Sequence, residues 1–555
     1  MKNKIANLLK KHSFYIIILF AAAIRFCRLG KRDFWYDEAF TGVAVKENFL
    51  GMMKMIMEDV HPPLYYLSLK FFASFFDYSV FGIRLFSTIF GILCVWAVYL
   101  FTKELFGRKA ALYASLIAAV SPFAIQYSQE GRMYSMFSFF IIIAAYFLVR
   151  ALRAGAEHTV NLQKYKYSIL FGLFLGLAAL THYMGIFFAP IFYLVYVIWN
   201  FGIDNILLKP VEVIHELPLQ KMIRRLLLGK QILIGFLVAF IVFTPWIPSF
   251  RQHMVKNATS DNLDWIRPAN FGDIPVNIQM FIFGTPLGEM SSGMPGPNEF
   301  YGIADISMWI LVTVFMTAVI AYLLYHRNAN FPVVIPAKAE IRKKNSEILF
   351  GSRLGGRDDK SREDDSKILK ILTVLLLSLG FMALVWFLGF FGKYFFVARY
   401  LLAAGYFIFV LLGFWLSRIR LSYRALAIVF YMTMLFLIVP LGYSEGWNVF
   451  AKDLGKYKNN DFYILNSFDY VIAKYYLGAD RLTLYNVDWP PYNPDYWAAI
   501  GPSLKRTEDF EDLRNDKNAL IISNTQLGGQ DNKNFNPAGL VLVAQYKNIL
   551  IYKFQ

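Results

Sequence analysis

The run DFWYDEAFTG, residues 33–42, sets two adjacent carboxylates, Asp37 and Glu38, beside Trp35 and Tyr36. A carboxylate held near aromatic rings and a low-dielectric boundary can act as a general base. Four further polar clusters interrupt an otherwise apolar chain: EDVHPPLYY (58–66), QYSQEGRMYS (126–135), THYMG (181–185) and VARYLL (397–402). They contribute His61, Gln129, Glu130, Arg132, Tyr134, His182, Tyr183 and Arg399. Guanidinium forks suit the oxygens of an anionic phosphate. No cluster is specific alone. Paired acids are often a solvated loop, His61 before Pro62 and Pro63 can simply open a helix, and Glu130 with Arg132 can be an ion pair at a helix end. Together they describe attack by an acceptor hydroxyl or amine on a sugar carried by a lipid phosphate. Phosphate is a good leaving group, so this reaction needs one base and charge stabilisation, and not the second, proton-donating carboxylate of glycoside hydrolysis.

The elements that must position these residues are membrane spans. The chain has 555 residues, of which 57% are hydrophobic and 18% aromatic but only 17% charged, and its mean hydropathy is +0.43. Soluble domains carry about a quarter charged residues. The charges gather in short runs between apolar blocks of spanning length, which reads as a polytopic α-helical membrane protein. A net charge of +17 would elsewhere suggest nucleic acid, but here it follows from basic cytoplasmic loops, and no nucleic-acid partner is expected. Cys27 and Cys94 sit in apolar runs and read as small buried hydrophobes rather than a disulfide or metal pair. The N-terminal apolar run lacks a small-residue cleavage site and reads as an uncleaved first span.

About eleven spans are expected, near 13–30, 80–101, 109–126, 133–150, 167–181, 183–201, 231–250, 304–325, 369–391, 400–417 and 424–443. The segment 61–76 opens on a proline pair and reads as an interfacial or re-entrant helix. With the N-terminus in the cytoplasm, the inner segments hold 30 of the 56 Lys and Arg residues, which supports that orientation. The five clusters then converge on the outer face. The cores of spans two to eleven carry essentially no ionisable residue, which counts against a proton-coupled transporter.

The expected organisation is therefore a transmembrane domain, 1–443, with a catalytic first outer loop at 31–80 and a large outer loop at 251–303. A mixed-charge cytoplasmic loop, poor in apolar residues and expected to be poorly ordered, follows at 326–370. Residues 444–555 change to short β-rich runs (DFYILNSF, NALIISNT, GLVLVAQYKNILIYKF) around a helical stretch at 468–477, reading as an extracytoplasmic soluble α/β domain. Its aromatic run DWPPYNPDYW (488–497) could stack on sugar or form a packed exposed turn.

The order RFCRLGKRDFWYDEAFTG, HPPLYY, SPFAIQYSQEGRMYS, THY, RYLL resembles the GT-C class of membrane glycosyltransferases. Within it the nearest types are the dolichyl-phosphate-mannose protein mannosyltransferases and the bacterial aminoarabinose lipid A transferases. The pattern covers about the first 250 residues; beyond them only the architecture agrees. The resemblance implies a polyprenyl-phosphate-sugar donor, a protein, lipid or polysaccharide acceptor, and an active site on the outer face of the plasma (inner) membrane. It implies Asp37 as the catalytic aspartate, acting as general base, with Glu38 beside it. Arg132, Arg399 and Tyr134 would hold the donor phosphate, and Tyr36, His61, Gln129, Glu130, His182 and Tyr183 would line the substrate site. No cofactor is implied firmly. The aminoarabinose transferases place an acid just before the proline pair, where this chain has Val60 and His61, so a divalent metal on His61 and His182 stands against simple contact of both with sugar and phosphate. The rival readings are a lipid-linked-sugar flippase without transferase activity, a transferase of the oligosaccharyltransferase or ligase type, and a relative that binds without turnover.

Overall fold

The computed structural model describes residues 2–156, 162–201, 230–259, 272–283, 359–389, 396–419, 446–464, 467–478, 482–485, 505–507, 514–524 and 540–554. Helices dominate up to residue 419 and a six-stranded sheet follows. Nine of the eleven expected spans fall on described helices; the spans at 304–325 and 424–443 and the aromatic run at 488–497 lie outside the described residues. Among the latter, five helices are long and apolar enough to cross a membrane, or six if one bent pair counts as a single span.

That bent pair corrects one expectation. The apolar run at 109–126 is two helices, α6 (Arg108–Val120) and α7 (Pro122–Ser128), meeting at 61°. Proline lacks the amide hydrogen that would continue the ladder, and Ser121 caps the new helix by accepting from the Ala124 amide at 3.3 Å. The break strands carbonyls at the end of α6. Arg25, fully buried near the end of α1 (Lys2–Phe26), donates to the Ala119 and Ala118 oxygens at 2.7 and 3.0 Å.

The expected loop at 31–80 is largely helical: α2 (Tyr36–Lys46), α3 (Phe49–Glu58) and α4 (Leu64–Ser74) fill it. Their apolar faces, including Phe40, Met55, Tyr65, Tyr66 and Leu69, are buried on the bundle, next to the long helix α5 (Val80–Phe106). Helix α8 (Tyr134–Ala156) packs on α9 (Gln163–Thr181), which is followed by α10 (Met184–Phe201). Helix α11 (Lys230–Phe243) also packs on α9. At that crossing Gly172 faces Gly235 so closely that a β-carbon on either would meet the other helix. Further described helices are α12 (Ile247–Thr259), α13 (Asp273–Phe283), α14 (Asp359–Leu375), α15 (Phe381–Leu388) and α16 (Leu402–Arg418). The charged stretch expected as loop through residue 370 is thus already helical from Asp359. Both cysteines are free, but only Cys94 is buried; Cys27 is exposed, against expectation, because the chain leaves α1 there.

After α17 (Trp447–Asp453), the sheet runs β3-β2-β1-β4-β6-β5. Strands β1 (Asp461–Ile464), β2 (Leu482–Tyr485), β3 (Lys505–Thr507) and β4 (Ala519–Asn524) are parallel. Strands β5 (Leu540–Tyr546) and β6 (Ile549–Phe554) close the sheet as an antiparallel hairpin. Parallel neighbours need a crossover, and α18 (Ser467–Leu477) supplies it between β1 and β2. Strands β1, β4, β5 and β6 fall where the β-rich runs place them, β2 and β3 lie outside those runs, and α18 also packs against α2 of the first segment.

Candidate functional site

The site is built on the start of α2. Trp35 is extended (φ −85°, ψ 173°) and ends the loop; the acids Asp37 and Glu38 follow in the first helical turn, where the helix dipole favours negative charge. The two carboxylates then part. Glu38 is 1% exposed and clamped by Arg84 of α5, whose Nε and Nη2 donate to Oε1 and Oε2 at 2.7 and 2.6 Å. The Gly131 amide donates to Glu38 Oε1 at 2.7 Å as well. Arg84 also donates to the carbonyls of Arg32 and Asp33, at 2.8 Å each. A buried pair is tolerable only when hydrogen bonds satisfy both partners, and here they do. Glu38 therefore fastens the first segment to the 129–132 turn, and Arg84 is an ionisable side chain within an expected span.

Asp37 keeps its carboxylate free of hydrogen bonds among the described residues and is 22% exposed, with Oδ2 3.9 Å from Arg132 Nη2. Arg132, 3% exposed, is held by the Asp37 carbonyl at 3.1 Å, Thr41 Oγ1 at 3.0 Å and the Tyr66 hydroxyl at 3.3 Å. Its Nη2 stands 3.4 Å from His61 Nε2. Arginine can only donate, so Nε2 accepts and the His61 proton sits on Nδ1, which meets Asp59 Oδ2 at 2.8 Å. Burial alone would raise the Asp59 carboxyl; the contact with His61, then the charge of Arg132, bring it below the ordinary value.

The contacts continue into a ring. The His61 and His182 imidazoles lie edge to face at 6.0 Å, and His182 is 4.9 Å from the Tyr400 ring. The Arg399 guanidinium lies 5.5 Å from the Tyr400 ring and 5.8 Å from the Trp35 ring. Trp35 returns along the chain to Asp37. Tyr134 packs inside this arc, 6.0 Å from His182 and 6.3 Å from Tyr400. Five buried polar atoms without a hydrogen-bond partner belong to this region: Trp35 Nε1, Arg132 Nε, His182 Nε2, Arg399 Nε and Glu130 Oε2. Buried polar groups are nearly always paired, so unpartnered polar atoms gathered in one region are an exception.

Other expected residues are employed differently. Gln129 gives its amide to the Arg25 and Cys27 carbonyls at 2.9 and 3.0 Å, holding the end of α1. The Tyr183 hydroxyl is bonded to His253 Nδ1 at 2.7 Å and to Trp246 Nε1 at 2.9 Å, while His253 Nε2 meets the Met57 carbonyl at 3.0 Å; this chain ties α12 to α3. Glu130 lies beside the Glu38–Arg84 clamp rather than in the ring: it accepts from Gln126 at 3.3 Å, and burial, then the Glu38 charge, push its carboxyl up to about 7. Tyr36 is half-buried at the start of α2.

Sequence reading missed Asp59, Trp35, Tyr66 and Tyr400 as members of the ring. Asp59 stands two residues before His61, within one quoted cluster, and that spacing was its signal. For a metal, His61 and His182 make an incomplete set: Nδ1 of His61 is committed to Asp59, and among the described residues no three His, Cys, Asp or Glu side chains converge as ligands. The residues present do not fit a metal centre, and no step is routed through one.

This fold is that of a GT-C-like helical membrane protein carrying a small C-terminal sheet. Residues 60–217 match the family described as dolichyl-phosphate-mannose-protein mannosyltransferase, a stretch that holds His61, Arg132 and His182 but begins after Asp37. In fold the chain is similar to ArnT from Cupriavidus metallidurans in the apo state: TM-score 0.59, 12% identity, 98% of each chain covered. A Bacillus subtilis (strain 168) protein named "Putative mannosyltransferase YkcB" is 29% identical over 94 residues, 17% of this chain and 13% of the relative's length. The archaeal oligosaccharyltransferase AglB from Archaeoglobus fulgidus gives a TM-score of 0.48 at 13% identity, covering 93% of this chain and 70% of that one, too low for argument. The resemblance to GT-C glycosyltransferases of the mannosyltransferase and ArnT type stands on the family match together with the shared fold.

Proposed function

We propose that this protein is an integral membrane glycosyltransferase that moves a monosaccharide from a polyprenyl-phosphate donor to a hydroxyl or amine of an acceptor, with Asp37 as general base. The observation that carries the reading is the division of labour between adjacent acids: Glu38 is bound on both oxygens, while Asp37 is uncommitted and faces Arg132 at 3.9 Å. In the proposed step the acceptor oxygen or nitrogen gives its proton to Asp37 and bonds to the anomeric carbon. The anomeric carbon–oxygen bond breaks, and the polyprenyl phosphate leaves with the electron pair, its charge met by Arg132 and Arg399. Glu38 positions the loop and takes no proton. The first-segment location of the base and the basic inner segments support chemistry on the outer face, with the N-terminus in the cytoplasm and the sheet domain outside.

The test is sugar transfer in proteoliposomes supplied with labelled polyprenyl-phosphate sugars and a membrane extract, comparing wild type with Asp37→Asn. Transfer by wild type, falling about 10²- to 10⁴-fold in a mutant that melts normally, is the expected result. Equal transfer by both discards Asp37 as the base. Movement of labelled lipid between leaflets without transfer by either replaces the enzyme reading with a flippase.

A further inference from the structure

His182 is the least explained member of the ring. It follows α9, is 5% exposed, and sits among the rings of His61, Tyr134, Phe137 and Tyr400 at centroid distances of 4.9–6.0 Å. Its Nδ1 accepts from the Met184 amide, which opens α10, at 3.2 Å. A nitrogen that accepts from a backbone N–H carries no proton of its own, so the neutral ring must bear its hydrogen on Nε2. Burial first, then the neighbouring His61, Arg132 and Arg399, hold the imidazole well below its ordinary value, keeping it uncharged at neutral pH. Nε2 lies across the ring from the Met184 contact and has no hydrogen-bond partner. The helix start thus fixes a single tautomer whose only free function is to donate.

We infer that His182, as a fixed neutral Nε2–H donor, binds a non-bridging oxygen of the donor lipid's phosphate between Arg132 and Arg399, and does so without transferring its proton. This rests on the transferase reading above. The neighbours decide the chemistry of the acceptor: two buried guanidiniums flank the imidazole through His61 on one side and Tyr400 on the other, so the oxygen it meets is most stable on an anion. A third cation would gain little against two others, whereas a neutral donor adds direction without adding repulsion. Its neutrality also separates this role from general acid catalysis, which would need a proton to spare at the working pH.

The test is equilibrium binding of polyprenyl phosphate, without sugar, to the purified full chain in detergent, for wild type, His182→Phe and His182→Gln. Phe keeps the ring packing and removes the donor; Gln keeps a neutral N–H. The expected result is binding weakened roughly 10-fold or more by Phe at unchanged melting temperature, and held within a few-fold of wild type by Gln. Equal binding by wild type and Phe overturns the inference alone. Loss of binding in Phe with no recovery in Gln, together with lowered melting of both, makes His182 a packing residue and also overturns it. Normal lipid-phosphate binding by Phe, with only the sugar-bearing donor weakened, moves the contact to the sugar and overturns the phosphate assignment. No binding by wild type removes the transferase reading itself, and this inference with it.

Discussion

At the scale of single residues, the carboxylates around α2 differ by what surrounds them, not by type. Asp37 is partly exposed opposite Arg132, Glu38 is neutralised in place by Arg84, and Glu130 is buried with one oxygen idle. The last has a measurable consequence. Its carboxyl titrates near 7 in the fold against an ordinary value of 4.5, burial being the main cause and Glu38 the next. A raised acid favours the fold while protonated. Its contribution is therefore complete below about pH 4.5 and lost as pH rises through about 7, amounting to about 3 kcal/mol at the order-of-magnitude level. Glu130→Gln, which is neutral at every pH, should flatten the melting temperature between pH 4.5 and 8 relative to wild type. A parallel pair of pH curves would show that Glu130 titrates alike in the folded and unfolded chain.

At the scale of elements, the sequence told most about what repeats locally and least about what meets across distance. Apolar runs located nine of the eleven expected spans on helices, and the β-rich runs of the C-terminal part located β1, β4 and the β5–β6 hairpin, because each is set by neighbours in the chain. The break between α6 and α7 was hidden, since residues on both sides of Ser121–Pro122 are equally apolar and only the kink distinguishes them. Glu38 with Arg84, 46 positions apart, and Gln129 with Arg25, 104 apart, leave no periodic trace. The polar clusters come together in the fold, but which members brace the scaffold and which stay uncommitted depends on those distant partners. Helix crossings are similarly silent. Gly172 and Gly235 read as ordinary span glycines, yet they let α9 and α11 touch backbone to backbone. Gly172→Leu should force the pair apart at a cost of about 1–3 kcal/mol or more, because the obstacle is a carbonyl rather than a movable side chain. Lower melting and loss of a single symmetric peak in size-exclusion chromatography would register it; wild-type behaviour would mean the crossing is not tight.

At the scale of the whole molecule, the C-terminal sheet and the segment that carries Asp37 are clasped together. Asp33 accepts from the Gly446 and Asn448 amides at 2.8 and 2.9 Å, capping α17 from the far end of the chain. Beside it, the Phe34 amide donates to the Tyr476 hydroxyl at 3.0 Å, and Lys46 donates to the Tyr475 carbonyl at 3.1 Å from above that residue's ring. Gly42 has no side chain because Tyr475 of α18 occupies the place one would take. Asp33→Ala should speed amide exchange over residues 446–453 and, on the proposed reading of Asp37, lower the turnover number more than it raises KM. Unchanged exchange there would separate the two parts. The same clasp has a meaning in time. Asp33 is made 413 residues before Gly446, which at about 5–20 residues per second is roughly 20 to 80 seconds of translation. Throughout that interval the nascent chain has Asp37 but not the clasp beside it. The contact is also among the most distant in sequence that the fold must close, and such contacts form late. The clasp is thereby deferred until synthesis has passed Gly446, so a chain truncated between Tyr400 and Gly446 would carry every residue of the ring and still lack the contact that fastens its first segment.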